Sequence, residues 1–503
     1  MLRKAFTAPD PGRMRLRFAS RAVLGIGLAV VLCGVTGHSL VATVAGGLSA
    51  LLALFTVGDP TVRGQAVTTA LLPVVGLPVL ALSAVLHDVP IARDLVFIAA
   101  VGGGVYARRW GPRGHSLGVF AFMSCFMAQF LHAVPSRIPE LYGAVLLSLA
   151  ASSAVRFGVW CYERRLPAPA PVSAPTGGTG LTRITTRQAV QAAVGAGFAL
   201  AAGQVLSDQR WYWAVGATWW VFVATTSRGE TVVRSFRRVL GTVIGIGIGF
   251  AVAVPLHDRP VVAAVVVALS VFGVFYTAAV SYTWMMLAVT AMASMLYGLL
   301  GVLDPALLVL RVSETAVGSL GATLAVLLVL PVTTHSVTEA WVARALRCVH
   351  ACTAEAAARL AGDADADPAH LVAELEAILG RVRLSLAPLV HPLSPMAARK
   401  RRARQVLALL DGCAREVRGL ASVAADPEAS HDARLAAACW RVEAAVEALT
   451  DPPALVRRHR HAAPVASAAT HPEPVFAHLH ALEQALLDLA VPLRRAEPVP
   501  ASA

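Results

Sequence analysis

Residues 210–249 read RWYWAVGATWWVFVATTSRGETVVRSFRRVLGTVIGIGIG and join two apolar segments through an arginine-rich turn. An aromatic-rich run covers 211–226, the arginines lie within 227–238, and glycines recur in the apolar run that follows. Apolar runs separated by a short charged turn are typical of neighbouring helices that cross a membrane. The stretch therefore predicts a transmembrane hairpin with a cationic tip.

The arginines and the small residues of this stretch are spaced as positions on a helix. Spacings of three and four residues place Arg234, Arg237 and Arg238 on one face. Small residues at every fourth position let transmembrane helices approach closely, and the chain repeats Gly241, Gly245 and Gly249. Because the guanidinium group of arginine binds carboxylates well, we predict that an anionic solute passes a set of polar residues here. That set is Arg228, Arg234, Arg237, Arg238 and Thr242. The alternative is that the arginines only set the orientation of the chain in the membrane.

The composition of the whole chain is too apolar for an ordinary soluble protein. Of the 503 residues, 56% are hydrophobic and 15% are charged. The net charge of +13 arises in residues 1–333, with 24 basic and 11 acidic residues, whereas residues 334–503 hold 19 of each. Basic residues between apolar segments orient a membrane protein. We therefore predict contact with a lipid bilayer and no nucleic-acid partner.

Apolar runs of spanning length predict twelve membrane spans in two sets of six. They cover 19–36, 39–57, 67–86, 92–106, 116–132 and 138–160, then 189–207, 211–226, 239–256, 260–276, 282–302 and 306–330. The two sets repeat at an offset of 170 residues, since Leu-His-Asp-x-Pro at 86–90 recurs at 256–260. An even number of spans in each half gives both halves the same orientation, so we predict parallel repeats.

The positions of the basic residues predict the orientation of these spans. With the N-terminus in the cytoplasm, the inner segments hold 18 basic residues and the outer loops hold four, namely Arg93, Arg137, Arg210 and Arg259. Such a bias predicts that both termini are cytoplasmic.

After residue 333 the composition changes to apolar and charged residues alternating at helical spacing, which is typical of a helical bundle in water. We predict an all-α membrane protein with about twelve transmembrane helices in two parallel six-helix repeats, plus a C-terminal cytoplasmic helical domain. The predicted domains are a first membrane repeat at 1–165, a flexible cytoplasmic linker at 166–182, a second membrane repeat at 183–333 and the cytoplasmic domain at 334–503.

Motifs of enzymes are missing from the sequence or stand in the wrong context. Neither lysine, Lys4 or Lys400, follows a glycine, so the chain has no P-loop. The segment 114–118, Gly-His-Ser-Leu-Gly, matches a nucleophile elbow, but that motif needs a strand, a turn and a helix, and here it enters a predicted membrane helix. No C-x-x-C pair occurs. We predict no enzymatic activity, no catalytic residue, no metal and no cofactor.

Polar and aromatic residues inside the predicted spans are further candidates. Arg311 and Glu314 lie three residues apart in the last span, within reach of each other on a helix. Charges inside a membrane are costly and face a cavity or each other. We predict a coupling or gating role for this pair, the alternative being a structural ion pair. Trp219 and Trp220 lie near mid-span, where they either pack in the bundle or stack on an aromatic solute, and we include them in the substrate pathway.

The two repeats differ in their charges. At the offset of 170, Arg238 corresponds to Thr68, and Arg311 and Glu314 correspond to Leu141 and Ala144. A fold that repeats its glycines but not its charges predicts that the second half carries the transport chemistry.

The segment Tyr212-Trp213-Ala214 through Thr231, with Arg238-x-x-Gly241-Thr242-x-x-Gly245, resembles the fusaric-acid-resistance family of bacterial integral membrane transporters. Arg311-x-x-Glu314-Thr315-x-x-Gly318 resembles the second charged helix of that family. The resemblance is specific over about 187–331. It implies a protein of the bacterial plasma (inner) membrane, similar to aromatic acid exporters. Plant aluminium-activated malate channels look like distant relatives, with six spans per subunit paired as a dimer.

Together these features predict a secondary transporter that exports small organic acids, often aromatic, or toxic compounds. The expected partners are a small organic anion and the lipid bilayer, and an oligomer is compatible with the pattern. Glu314 is the expected site of proton coupling. The alternatives are an anion channel, which needs no coupling carboxylate, and a membrane scaffold that transports nothing.

Overall fold

A computed structural model describes residues 13–163, 180–225, 227–253, 259–299, 304–332, 334–360, 363, 365–390, 397–424, 433–450 and 474–494. The chain divides into two compact units, one with the described residues up to Val332 and one with those from Thr334 onward. Residues 166–179 of the predicted linker lie outside the described residues, and Gly180–Thr182 forms a short 3-10 turn.

The first unit consists of α-helices, with no strand among its described residues. Its first half contains α1 (Met14–Val35), α2 (Leu40–Thr56), α3 (Val62–Val85), α4 (Pro90–Tyr106), α5 (Gly111–Phe130) and α6 (Ile138–Glu163). Its second half contains α7 (Ile184–Leu206), α8 (Tyr212–Phe222), α9 (Arg228–Ala253), α10 (Pro260–Thr277), α11 (Tyr282–Leu299) and α12 (Pro305–Leu328).

Eight helical stretches of the described chain are long and apolar enough to cross a membrane. They are Met14–Val35, Val62–Val85, Pro90–Phe130, Pro135–Val159, Ile184–Leu206, Arg228–Val252, Tyr282–Leu299 and Ala306–Leu328. Two further apolar helices, Leu40–Thr56 and Val261–Thr277, are shorter. The chain is therefore a multi-pass membrane protein, while the twelve-span topology, the parallel repeat and the orientation stay predictions.

Helix α8 is shorter than the span predicted at 211–226. Its 11 residues rise about 16 Å, roughly half of the hydrocarbon thickness of a bilayer. Nine of the 11 are buried, so the helix lies inside the bundle. Apolar residues on all sides are shared by buried helices and by lipid-facing helices, which is why the sequence alone predicted a full span here.

The helix pairings of the two halves follow the same order. Helix α1 packs on α2 and α6, α2 packs on α6, and α5 packs on α3 and α4. The corresponding pairs in the second half are α7 with α8 and α12, α8 with α12, and α11 with α9 and α10. Across the halves, α4 packs on α7 and α10 packs on α1. This reciprocal arrangement supports the predicted repeat.

The glycines of α9 face α11, as their spacing predicts. A Cβ atom at Gly241 would lie 2.8 Å from the Cβ of Met286, and one at Gly245 would lie 2.8 Å from the Cβ of Thr290. Larger residues would push the two helices apart, so the glycines set the close packing of α9 on α11. This packing brings the arginines at the start of α9 against the start of α11.

The second unit contains α13 (Thr334–Leu360), α14 (Pro368–Val390), α15 (Ala397–Ala424), α16 (Ala433–Thr450) and α17 (Pro474–Arg494). Its helices bury leucine and valine side chains such as Leu379 and Leu482. Salt bridges join neighbouring helices outside this core, for example Arg344 to Glu374 at 3.0 Å. The unit is an amphipathic helical bundle, and its cytoplasmic location stays a prediction.

Candidate functional site

Two of the predicted arginines converge on one tyrosine of α11. The guanidinium carbon of Arg234 lies 3.8 Å from the ring centroid of Tyr282, and Arg238 Nη1 donates to the Tyr282 hydroxyl at 3.3 Å. The carbonyl of Trp220 accepts from Arg234 Nε at 3.2 Å and from the Tyr282 hydroxyl at 3.4 Å. We call these four residues the arginine cluster. It joins the end of α8 to the starts of α9 and α11.

Arg238 has no carboxylate partner among the described residues, although its side chain is only 7% exposed. Its Nη1 atom also donates to Met286 Sδ at 3.1 Å, and its Nε atom has no hydrogen-bond partner there. The hydroxyl of the neighbouring Ser235 is buried and unpartnered as well. A buried charge without a counter-ion is destabilising. The cluster is thus suited to an anion, which would compensate the charge of Arg238.

The other predicted residues of α9 do not join this cluster. Arg237 is half-buried and Arg228 is exposed, and the backbone N–H of Arg228 donates to the Val332 carbonyl at 3.1 Å. The structure therefore brings Arg234 and Arg238 together but not Arg228 and Arg237, whose place in the substrate pathway stays a prediction. Positions i, i+4 and i+8 form a straight stripe on a helix. Arg234, Arg238 and the buried Thr242 occupy that stripe, whereas Arg228 and Arg237 lie beside it.

Trp219 is packed in the hydrophobic core. Its ring stacks on Phe122 with centroids 4.4 Å apart, and its side chain is fully buried. The arginine cluster instead uses the carbonyl of the next residue, Trp220. The packing alternative is therefore the better account of Trp219.

A second cluster surrounds Arg311 on α12. The guanidinium carbon lies 3.4 Å from the ring centroid of Trp213 and 6.0 Å from that of Tyr297. Arg311 is only 6% exposed, and its Nη1 atom has no hydrogen-bond partner among the described residues. Desolvated contacts between a guanidinium and an indole face are favourable, which accounts for its position.

Glu314 lies one helical turn from Arg311 and does not pair with it. The side chain is 0% exposed, and neither carboxylate oxygen has a hydrogen-bond partner among the described residues. The spacing permits a direct contact that the structure does not show, because the guanidinium packs on the Trp213 ring, and the coupling or gating role of the pair stays a prediction. The two groups still lie within electrostatic range of each other, and Arg210 is also in range of Glu314.

Aromatic side chains from three helices form the walls around this second cluster. Phe130 of α5 lies 5.6 Å from Trp213 and 6.2 Å from Tyr297 of α11, between ring centroids. Phe126 lies 4.9 Å from Trp213. We name Trp213, Tyr297, Arg311 and Glu314 the Glu314 cage. Trp213 and Tyr297 were not among the residues predicted from the sequence, and the local signal for Tyr297 is a polar aromatic residue well inside an apolar run.

The first half also places an arginine between its third and fifth helices. Arg113 Nε of α5 donates to Thr68 Oγ1 of α3 at 3.2 Å, and Asp59 lies 4.0 Å from the same nitrogen. Thr68 corresponds to Arg238 at the offset of 170. The opposite helix, α5, therefore supplies a cation at this place in the first half, which the comparison of aligned positions does not show.

The nucleophile-like motif of the sequence has no structural basis as an active site. Ser116 lies inside α5, where its hydroxyl donates to the carbonyls of Thr56 at 2.8 Å and Pro112 at 3.0 Å. The side chain is 0% exposed. A nucleophile elbow lies on an exposed turn between a strand and a helix, so Ser116 is not arranged as a nucleophile.

Comparison with protein families finds a match in the second half of the membrane unit. Residues 197–326 match the family described as fusaric acid resistance protein-like. The matched segment contains the arginine cluster and the Glu314 cage. Comparisons with curated proteins and with solved structures found no significant match. Residues 197–326 of this multi-pass membrane protein are therefore similar to the fusaric acid resistance protein-like family.

Proposed function

We propose that the protein is a secondary transporter that exports small organic anions, aromatic acids among them, across the bacterial plasma (inner) membrane. The observation that carries this proposal is the buried Arg238, which has no carboxylate partner among the described residues and lies within the matched family domain. An anionic solute would compensate its charge, whereas a scaffold protein has no use for an uncompensated buried cation.

The arginine cluster would act as the inner binding site for the solute. A guanidinium binds a carboxylate through two parallel hydrogen bonds, and Arg238 keeps its Nε atom free for such a contact. The ring of Tyr282 holds Arg234 in place through a cation–π contact. Basic residues near the inner ends of the helices would raise the local concentration of anions. The proposed role involves binding and movement of the solute, without catalysis or a cofactor.

The Glu314 cage would provide the coupling step. Glu314 is a carboxylate inside the bundle with no hydrogen-bond partner among the described residues, and it is therefore free to exchange a proton or a ligand. The charged and titratable groups around it are Arg210, Arg311, Tyr212 and Tyr297. Proton exchange at this position would connect solute export to the pH gradient.

Flux through proteoliposomes tests the proposal. The purified full chain is reconstituted, and movement of benzoate, benzenesulfonate and malate is measured with and without a pH gradient, with protein-free liposomes as the leak control. We expect protein-dependent flux of the two aromatic anions that a pH gradient accelerates. Equal flux of all three anions without any effect of the gradient would indicate a channel, and the absence of protein-dependent flux would indicate a scaffold. Either result overturns the proposal.

The proposed orientation has its own test. A cysteine at Ser136, in the turn before α6, should react with a membrane-impermeant reagent added outside, on a background without other cysteines. A cysteine at Ser173, which lies outside the described residues, should not react. The reverse labelling pattern would overturn the cytoplasmic placement of the termini and of residues 334–503.

A further inference from the structure

The start of α15, in the second unit, carries a local concentration of positive charge. Five of the first eight residues of this helix, 397–404, are basic, and its first acidic residue is Asp411. Residues 334–503 as a whole hold 19 basic and 19 acidic residues, so the concentration is confined to this segment. The N-terminus of a helix is the positive end of its dipole, where basic side chains are destabilising. Helix stability therefore does not explain these residues.

The core of the second unit determines which way the basic side chains point. Ala403 and Leu410 are buried, and their separation of two helical turns defines the inner face of α15. Arg401 and Arg404 are exposed, and Lys400 is partly exposed. Spacings of three and four residues place all three on one outward side of the helix. We call Lys400, Arg401 and Arg404 the α15 basic patch.

The charges of this patch differ from those of other exposed arginines in the unit. Arg383 Nη2 lies 2.6 Å from Asp411 Oδ1, and Arg418 pairs with Glu376. The α15 basic patch has no such carboxylate partner among the described residues. Its positive potential is therefore not neutralised in the described part of the unit, and it attracts an anionic partner.

A contact with α17 holds the patch in place. Arg402, which lies between the patch residues in the chain, donates from Nη2 to the Leu493 carbonyl at 3.3 Å. The start of α15 thus lies beside the end of α17, whose last residue, Arg494, is also basic. The patch is consequently part of the folded bundle, presented by a fixed helix.

We propose that the α15 basic patch docks the second unit on the anionic lipid headgroups of the bilayer. The unit is tethered to that bilayer, because α13 begins at Thr334, six residues after the membrane helix α12 ends at Leu328. A short tether gives the patch a high effective concentration of headgroups, and clusters of basic residues near the ends of membrane helices are attracted to anionic lipids. A nucleic acid would have to be recruited from solution. The inference is independent of the solute that the membrane unit moves.

Fluorescence quenching in proteoliposomes of the full chain tests the proposal. A fluorophore is attached to a cysteine that replaces Gln405, an exposed residue beside the patch. The background is Cys161→Ser, since the other six cysteines are buried. Phosphatidylcholine with a spin-labelled headgroup is the quencher, in vesicles with or without phosphatidylglycerol. We expect stronger quenching with phosphatidylglycerol, and weaker quenching as NaCl is raised, because salt screens exposed charges.

Three double variants separate the charge of the patch from other effects. Arg401→Gln/Arg404→Gln should lower the ratio of docked to free unit about thirtyfold, since each basic residue at an anionic surface contributes about fivefold. Arg401→Lys/Arg404→Lys should retain docking, because the charge is kept. Arg381→Gln/Arg415→Gln is the matched control, which removes two exposed charges outside the patch and should also retain docking.

Two kinds of result would overturn the proposal. One is quenching that does not depend on phosphatidylglycerol, and the other is an equal loss in the two glutamine double variants. A labelled oligonucleotide is offered in parallel to the full chain in detergent. If it binds, and Arg401→Gln/Arg404→Gln weakens that binding while the quenching ignores phosphatidylglycerol, the patch belongs to a nucleic-acid site and the proposal fails. Monodisperse elution of every variant confirms that it folds.

Discussion

The two halves of the membrane unit pair their helices in the same order. The glycine or arginine that determines a given contact, however, lies on one helix of the pair in the first half and on the other helix in the second. In the first half the close crossing of α2 and α6 depends on Gly46, whose added Cβ would lie 2.9 Å from the Ala144 carbonyl. In the second half the crossing of α8 and α12 depends on Gly318, whose added Cβ would lie 2.8 Å from the Cβ of Ala217. The glycine lies on the shorter helix in one half and on the longer helix in the other.

Each half has an arginine between its third and fifth helices, but on opposite helices, since Arg113 is on α5 and Arg238 is on α9. The charge of the two arginines is compensated differently. Arg113 is 45% exposed and has Asp59 beside it. Arg238 is buried and has no carboxylate partner in the described chain. The presence of an arginine is therefore common to both halves, and the lack of charge compensation distinguishes the second. That difference is the basis for placing the anion site at Arg238.

A buried arginine is not by itself a binding site, as Arg156 of the first half demonstrates. Its side chain is 4% exposed and donates to the carbonyls of Ala53 at 2.7 Å and Val57 at 2.9 Å. Arg108 makes equivalent contacts at the end of α8, with the carbonyls of Phe222 and Thr225 at 3.1 Å each. Both arginines donate to carbonyls at the end of a helix, where the intrahelical hydrogen bonds run out, and these contacts account for their burial without a solute.

The largest effect is expected where the helices cross. Gly318→Leu should prevent assembly of α8 with α12, because overpacking a tight contact costs about 1–3 kcal/mol or more when the backbone must move. We expect little or no monodisperse protein by size-exclusion chromatography. Gly247→Leu is the control, since a Cβ there meets nothing within 4 Å. Equal yields of the two variants would contradict the close crossing.

Arg156→Met should reduce stability without altering the anion site. The change removes the Arg156 donor from the Val57 carbonyl, at a cost of about 1–3 kcal/mol, whereas the Ala53 carbonyl keeps the Val57 N–H. We expect a lower thermal unfolding temperature, together with anion flux per folded molecule close to that of the wild type. A selective loss of flux at unchanged stability would instead give Arg156 a transport role.

Arg237→Gln should have the smallest effect among the arginine variants of α9. Arg237 lies beside the stripe of Arg234, Arg238 and Thr242, and its side chain is half-buried. We expect flux of benzenesulfonate within about twofold of the wild type, since Arg237 is not a member of the arginine cluster. A larger loss of flux would show that Arg237 takes part in transport of the solute.

Local features of the fold could be predicted from the sequence, whereas contacts between distant helices could not. The Gly241, Gly245 and Gly249 repeat and the stripe with Arg238 follow from helical periodicity alone. The partners of Arg238, Tyr282 and Met286, lie 44 and 48 residues away on another helix. A periodic pattern on one helix contains no information about which residues of another helix will meet it.

Competition between partners explains the other differences. The spacing of Arg311 and Glu314 permits an ion pair, but the indole of Trp213 from another helix takes the guanidinium. An arginine of the first half is missed for a similar reason. Arg113 of α5 contacts Thr68, the residue that corresponds to Arg238, from the opposite helix. An alignment of the two halves by residue position therefore misses the charge of Arg113, whereas a comparison of the contacts between their helices finds it.

The central claim is that the uncompensated Arg238, and not its counterpart Arg113, binds the transported anion. The most direct test measures protein-dependent benzenesulfonate flux in proteoliposomes for Arg238→Gln and Arg113→Gln at equal amounts of folded protein. Losing a charge-assisted contact of about 1.5–3 kcal/mol predicts at least about a tenfold fall for Arg238→Gln and a change within about twofold for Arg113→Gln. Equal losses in the two variants, or undiminished flux in Arg238→Gln, would contradict the account.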